Sequence, residues 1–415
     1  MTGITYEDFL DLDYDPADTD LVCEFYVEPA ADMDMESAAS RVASESSNGT
    51  WAELQVEGSV RDLSATACDI DGNSVTVAYP DALFEAGNMP QVLSCIAGNI
   101  LGMKAVERIR LRDCDWPEKL TTSFPGPQFG TSVREEIFDA GNRPITATVP
   151  KPKVGLTTDQ HVQVGYEAWT GGIDLLKDDE NLTDQDFNPF EERLKRSLEK
   201  RDQAEDETGE KKSYLVNVTA EAGEMLDRVD MAARQGCEYV MVDVITTGWS
   251  AVQQVRERCE KHGLAIHAHR AMHAAFDRID THGVSMRVIA QVARLCGVDH
   301  IHTGTADLGK LENEDTVGIN EWLYSDLYGL NDVLPMASGG LHPGLVPELV
   351  ERCGTNIGIQ AGGGIHGHPD GTHAGAKALR QAIDATMEGV VLDEYADDHP
   401  ELASALDQWG TETPR

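Results

Sequence analysis

Positive charge is what this chain has least of. Its 415 residues carry 33 Lys plus Arg against 73 Asp plus Glu, a formal net charge of −40. Neutralising a nucleic-acid backbone takes clustered cations, so the composition argues against a nucleic-acid partner. It argues equally against docking on an anionic membrane surface. No run of about 18 apolar residues occurs, so no membrane-spanning helix is expected. The opening stretch MTGITYEDFLDLDYD has no basic segment followed by an apolar core, so no signal peptide is expected and the predicted compartment is the cytoplasm. The eight cysteines include no CxxC pair and are scattered from Cys23 to Cys353. Reduced, mostly buried thiols are expected, rather than a disulfide framework or a zinc site.

What the chain does have is acid spread along its length. DLDYDPADTD (11–20), TDQDFNPFEE (183–192) and DEYADDHPE (393–401) are examples. One such run would be a solvated face or loop. A chain-wide excess fits a protein adapted to high salt, where ions screen self-repulsion. Lysine is scarce, with twelve against twenty-one arginines, so the retained lysines draw notice. With 41% apolar residues the chain can still bury a sizeable core, and wholesale disorder is excluded.

Two regions differ in pattern. Residues 1–125 mix strand-like stretches, LVCEFYVEP (21–29) and SVTVAYP (74–80), with helix-like ones at 35–46 and 90–105. They predict an N-terminal α+β domain. FPGPQFG (124–130) reads as a linker. Residues 126–415 then alternate short apolar runs with amphipathic segments such as 224–236, 251–263 and 285–297, ahead of a C-terminal helical tail. The strand candidates are 144–150, 172–177, 213–219, 238–244, 264–269, 298–303, 333–338 and 356–362. Eight β-α units in about 250 residues predict a (β/α)8 TIM barrel, with a doubly wound open sheet as the competing architecture.

Most of these strand candidates run into chemistry-bearing residues. Lys151 and Lys153 follow the first, and Lys177, Asp179 and Glu180 the second. His267, His269 and Arg270 close the fifth, and His300 and His302 the sixth. Ser338, Gly339 and Gly340 follow the seventh, and Gly362, Gly363 and Gly364 the eighth. In a barrel these ends converge on the face where active sites of the fold lie. Each has a plain structural alternative; loop solvation alone does not account for six loaded ends out of eight. Residues two apart on a strand share a face, so Lys177 and Asp179 can point together, and a pair of carboxylates suits a hard cation such as Mg²⁺. Lys177 then has two readings. It is a salt bridge to Asp179, or its neutral amine reacts with CO₂ to give a carbamate, helped by crowding from Lys151 and Lys153. The glycine runs offer close-approach amides to a phosphate, with Arg270 and His302 available for another.

At these residues the chain resembles the large subunit of ribulose-1,5-bisphosphate carboxylase/oxygenase (rubisco) over essentially its whole length. The stretches that carry the likeness are ESSNGTW (45–51), GN (98–99), KPKVGL (151–156), GGIDLLKDDEN (171–181), HAHRAMHA (267–274), HIHTGTADLGKLE (300–312), SGGLHPG (338–344) and QAGGGIHGHP (360–369). Its length and acidity are most similar to the archaeal form III branch, from a halophile. The resemblance implies that Lys177 is carbamylated by an activating CO₂ and that, with Asp179 and Glu180, it holds Mg²⁺. It implies that Lys151 and Lys153 assist enolisation and protonation, that His269 serves acid–base steps, and that Lys310, on a mobile loop, steadies the incoming CO₂. Arg270, His302, Ser338, Gly339 and Gln360 would contact substrate, the first two at one phosphate. Gly340, Gly362 and Gly363 would hold the other phosphate with Thr50 and Trp51. Thr50, Trp51, Glu45 and Asn99 would reach the site from a neighbouring subunit, which implies a homodimer or an assembly of dimers without a small subunit. The implied activity is carboxylation of ribulose 1,5-bisphosphate to two 3-phosphoglycerates, with competing oxygenation by O₂, in nucleotide ribose salvage. One departure from the plant-type pattern is visible: TGTADLG, between His302 and Lys310, is one residue longer.

Two rivals remain at this level: an enolase or isomerase on the same barrel that fixes no CO₂, and a non-catalytic acidic scaffold. Retention of Glu45, Asn99, Lys151, His302 and Lys310 together argues against the first, and the four motif lysines argue against the second. The charge excess itself generates a test. Activity should collapse when the purified protein is moved from concentrated KCl to below molar salt; full activity in dilute buffer would overturn the high-salt reading.

Overall fold

The computed structural model describes residues 2–310 and 315–414, and divides into two compact units. The first comprises residues up to Gly126, with Met272–Cys296 and Asp326–Leu330; the second holds Pro127–Ala271, Gly297–Ser325 and the chain from Asn331 onward.

The first unit is built on a five-stranded sheet with spatial order Gly283–Val284, Val106–Asp115, Leu21–Pro29, Ser74–Tyr79, Thr66–Asp71. Leu21, Cys23, Phe25 and Val27 are buried alternately with half-buried neighbours, the period-two pattern of a half-covered sheet. Helix Met35–Glu45 is capped by Asp34, whose carboxylate accepts the Ser37 N–H at 2.7 Å. The amphipathic segment at 285–297 reads from sequence as one more barrel helix. In the structure, helix Met286–Cys296 groups with the first unit, because the preceding Gly283–Val284 pairs in parallel with Arg110–Leu111. Gln291 reinforces this by donating to the Asp113 carboxylate at 2.7 Å and the Cys114 carbonyl at 3.0 Å. Strands Thr66–Asp71 and Val106–Asp115 are absent from the sequence-based expectations. The second is charged at alternate places and its register shifts between Glu24 and Phe25 of its partner, which breaks the simple alternation.

The second unit is a closed barrel of eight parallel strands, so the open-sheet alternative falls. The strands are β1 (Ile145–Thr148), β2 (Leu175–Lys177), β3 (Ser213–Asn217), β4 (Tyr239–Asp243), β5 (Ala265–His269), β6 (His300–His302), β7 (Leu334–Ser338) and β8 (Gly358–Gln360). Each falls inside one of the eight candidates. Helices such as Thr158–Thr170, Phe190–Thr208 and Thr372–Glu388 lie between or after them. Thr157 opens the first of these with a capping box to Gln160, and Gly209, left-handed at φ 71°, closes the second.

Side-chain parity divides the barrel interior into two zones. Ile145, Leu175, Leu215, Tyr239, Ala265 and Leu334, near the strand starts, form one buried apolar cluster with Ala147, Met241 and Met336. Moving along the same faces by twos reaches Lys177, Asn217, Asp243, His267, His269, Ser338 and Gln360. The barrel is thus apolar where strands begin and polar where they end. Below the apolar zone, Arg143 grips Asp174 with two bonds of 2.7 Å, while Asp174 also accepts the Thr146 N–H at 2.8 Å. Inside, a Cβ at Gly358 would come within 2.1 Å of Met336 Sδ, so the thioether occupies the space a larger residue would need. All eight cysteines are free thiols, six buried and two half-buried. No helix among the described residues is long and apolar enough to cross a membrane.

Candidate active site

A pocket of about 620 Å³ opens where the barrel strands end, and every residue lining it belongs to the second unit. Lys151, Lys153, Asp179, Glu180, His269 and Lys310 contribute charge or titratable groups. Ser338, Gly339, Gly340, Gln360, Gly362 and Gly363 contribute small or amide-bearing surface. Of the residues singled out from sequence in this unit, Lys177, His267, Arg270, His300 and His302 do not line the open space. All five are buried, and Lys177 and His302 lie next to residues that do line it.

Lys177 ends β2 with no exposed surface. Its Nζ donates to the Asp178 carbonyl at 2.8 Å and lies 3.9 Å from Glu180 Oε2. Burial pushes this amine below the ordinary lysine range; Glu180, Asp179 and Asp243 pull it back, and Lys151 adds to the depression. Asp179 pairs instead with Lys151, at 3.2 Å from its Nζ. The salt bridge drawn from sequence between Lys177 and Asp179 is therefore not the close contact here. Burial raises the Asp179 carboxyl, but hydrogen bonds from Asn181 and the charges of Lys151 and Lys177 outweigh it and hold it ionised. Glu180 is likewise held below its usual range against its burial, by His269 and Lys177.

His269 reads the same environment from the next face. Its Nδ1 lies 3.0 Å from the Asp243 carboxylate and its Nε2 lies 3.5 Å from Glu180. Burial, then the nearby Lys177 charge, lowers its pKa despite both carboxylates. Behind it, His302 Nε2 and His267 Nε2 are 3.0 Å apart, so one must donate to the other. Both are held well below the ordinary imidazole range, chiefly by burial, and the Nδ1 atoms of His267, His300 and His302 have no hydrogen-bond partner among the described residues.

The glycines follow β7 and β8, the strands that run from β6 round to β1. Gly339 and Gly340 have φ of 127° and 95°, left-handed values that exclude most other residues. A Cβ at Gly363 would meet nothing within 4 Å, whereas one at Gly362 would reach Lys151 Cε at 3.1 Å. Lys310 is exposed, and its backbone N–H donates to the Gly339 carbonyl at 2.8 Å. In the longer segment before it, Ala306 and Asp307 are both left-handed, with φ of 48° and 67°. Leu311 and Glu312, the end of that sequence motif, lie outside the described residues. The chain's last described residues adjoin the same wall. His342 donates from Nε2 to the Glu412 carbonyl at 3.0 Å, its ring stacks on Trp409, and Pro414 approaches Gly340.

Glu45, Thr50, Trp51 and Asn99 belong to the first unit. Trp51 is 83% exposed, an unusual state for the largest apolar side chain. Asn99 is exposed, Thr50 half-buried, and Glu45 accepts the Tyr6 hydroxyl at 2.5 Å. Asp243 and Asn217 were not singled out from sequence. The signal for both is parity: each ends its strand on the inward face, as Lys177 does.

Family models match both units. The ribulose bisphosphate carboxylase large chain catalytic domain matches residues 130–409, and the N-terminal domain of the same chain matches 8–120. The chain belongs to the ribulose bisphosphate carboxylase large-chain family. Curated members named ribulose bisphosphate carboxylase include those of Pyrococcus furiosus, 50% identical over 99% of both chains, and Methanosarcina barkeri, 45% identical over 97% of this chain and 99% of that one. Among solved structures, the octameric rubisco of Pyrococcus horikoshii superposes with a TM-score of 0.95 at 48% identity, over 99% of this chain and 98% of that one. The dimeric archaeal rubisco of Hyperthermus butylicus gives 0.91 at 44%, over 98% and 99%.

The buried imidazoles make the stability of this family member depend on pH. Unfolded histidines titrate near 6.5, while burial drops His300 to about 3 and His267 and His302 well below their usual value. As pH falls through 6.5 the unfolded chain takes up protons that the folded chain refuses, so stability present above that pH is lost below it. Each such group costs on the order of 1 kcal/mol per pH unit in that window. His300→Gln should flatten the slope of unfolding free energy between about pH 6.5 and pH 5 by one proton's worth, measured by denaturant unfolding; an unchanged slope would show that His300 is protonated in the fold.

Proposed function

We propose that the chain carboxylates D-ribulose 1,5-bisphosphate with CO₂ and water to two 3-phosphoglycerates, and that O₂ competes at the same carbon. The observation that carries this reading is Lys177: a fully buried amine, depressed by that burial and 3.9 Å from Glu180 at the rim of a cationic pocket. A neutral amine is the form that adds to CO₂.

The donor set fits the implied metal. Among the described residues no three His, Cys, Asp or Glu side chains are grouped to hold an ion, so Asp179 and Glu180 need a third anionic ligand. A carbamate on Lys177 supplies it, and oxygen-only ligation suits Mg²⁺. When bound, Mg²⁺ polarises the substrate carbonyl and stabilises enediolate charge. In that role Asp179 would give up its pairing with Lys151, and the Lys151 ammonium would be free to face the substrate oxygens. Lys153 lies in the same pocket and assists proton return. His269, oriented by Asp243, moves protons in the hydration step. Lys310, tethered through its backbone to Gly339, brings its ammonium to the CO₂ carboxylate being formed.

Substrate is held at both ends in this reading. Arg270 and His302 take one phosphate, and Gly340, Gly362 and Gly363 take the other, with Ser338, Gly339 and Gln360 contacting the chain between. Thr50, Trp51, Glu45 and Asn99 complete the site from a second copy, which gives the exposed Trp51 a function. The octameric rubisco of Pyrococcus horikoshii and the dimeric one of Hyperthermus butylicus support an assembly of dimers, which we propose needs no small subunit. Relatives from Pyrococcus and Methanosarcina support the archaeal form III branch, and with it nucleotide (AMP) ribose salvage in the cytoplasm. The net charge of −40 supports a halophilic source.

Labelled CO₂ incorporation in concentrated KCl, with Mg²⁺ and bicarbonate titrated, tests the whole. A carboxylase shows CO₂-dependent activation and then labelled phosphoglycerate; an enolase-type relative consumes the bisphosphate without label, and a scaffold does neither. Lys177→Ala should abolish activity with the fold intact by circular dichroism, and more than a few per cent remaining would defeat the carbamate assignment. Lys310→Ala should stop carboxylation yet allow exchange of the C3 proton with solvent, read by NMR; equal loss of both would place Lys310 in the earlier step.

A further inference from the structure

Asp178 stands between Lys177 and Asp179 in sequence but faces the other way. Parity puts its neighbours on the inward face and sends its own side chain outward, to complete burial among polar partners. Its carboxylate accepts the Tyr214 hydroxyl at 2.5 Å, the Asn217 backbone N–H at 3.0 Å and Arg193 Nε at 3.2 Å. Arg193 continues to the Asn188 and Thr183 carbonyls, both at 2.6 Å, so it also ties down the loop that leaves Glu180.

Asn217 works from the inner side. It ends β3, the strand hydrogen-bonded to β2. Its side-chain Nδ2 lies 3.4 Å from the Asp179 carbonyl and 3.4 Å from the Glu180 carbonyl. Its Oδ1 accepts the Thr219 N–H at 3.1 Å, which fixes which way the amide points. One residue therefore holds Asp178 through its backbone and the next two residues through its side chain. Lys177 closes the set by donating to the Asp178 carbonyl.

We propose that Asp178 and Asn217 are positioning residues: a two-sided clamp that fixes the backbone of Lys177–Glu180 so that the three side chains meet at one point. The inference rests on the reading of Lys177, Asp179 and Glu180 as a carbamate and two carboxylates around one divalent cation. Its physical basis is the demand such a cation makes on geometry. An octahedral shell tolerates little displacement of its oxygens, and ligands on a strand end and the turn after it move with their backbone. Groups one shell away from a metal typically govern 10- to 100-fold in its affinity or activity.

The test uses the full chain in concentrated KCl, with Mn²⁺ as an EPR-visible divalent probe and ¹³C-bicarbonate to follow the carbamate by NMR. Asn217→Ala should weaken CO₂-dependent Mn²⁺ binding by about 10- to 100-fold. Its carbamate signal should need correspondingly more metal, its KM for ribulose bisphosphate should stay near wild type, and excess metal with bicarbonate should restore kcat. Asp178→Asn should act in the same direction, but it leaves Arg193 uncompensated and can unfold the chain, so Asn217→Ala carries the decision. Mn²⁺ binding within twofold of wild type in a folded Asn217→Ala protein overturns the clamp, as does a lost kcat that excess metal does not restore. Absence of CO₂-dependent Mn²⁺ binding in the wild type overturns the carbamate reading itself, and the clamp with it.

Discussion

Taking an amine out of water costs more than three nearby carboxylates return, and the polar end of this barrel is arranged around that imbalance at Lys177. Among the described residues, the nearest anionic oxygen is 3.9 Å away and the one close acceptor is a neutral carbonyl, so the uncharged form gains. Asp178, equally buried and one residue on, shows the opposite balance. There a guanidinium, a phenol and a backbone amide touch the carboxylate directly, and the charge is kept. Two adjacent residues of opposite charge type thus end in opposite ionisation tendencies because one touches a charged partner and the other touches only a neutral carbonyl.

The same logic runs through the barrel interior. Its lower half is an apolar cluster that needs no partners, and its upper half is a ring of strand-end polar groups that mostly lean on one another. Imidazoles pushed toward the neutral form by burial, next to an Asp179 carboxylate kept ionised by Asn181 and Lys151, give this end of the barrel groups that can donate and groups that can accept at one pH.

Much of this was legible in the sequence for a simple reason. Strands buried on both faces read as short apolar runs, and a barrel displays its chemistry at one end, so eight runs, six of them with loaded ends, foretell both the architecture and the address of Lys151, Lys177, His269 and the glycines. What was not legible depends on neighbours that sequence does not order. Parity pairs Lys177 with Asp179 and so sets Asp178 apart, but only the fold shows the Tyr214, Arg193 and Asn217 partners that hold Asp178. Asn217 and Asp243 look like ordinary strand-end residues until β2, β3, β4 and β5 are set side by side. Likewise, the helix Met286–Cys296 carries a period that fits any apolar surface, and a two-residue strand decides that it groups with the first unit.

The stretch from Trp409 to Pro414 threads past glycines whose missing side chains leave it room. A Cβ on Gly344 would strike the Gly410 carbonyl at 1.9 Å, and one on Gly340 would come within 3.1 Å of Pro414. Trp409 and Pro414 are therefore masonry in the wall of the cavity, and the space that admits them is the space a side chain on Gly340 or Gly344 would fill.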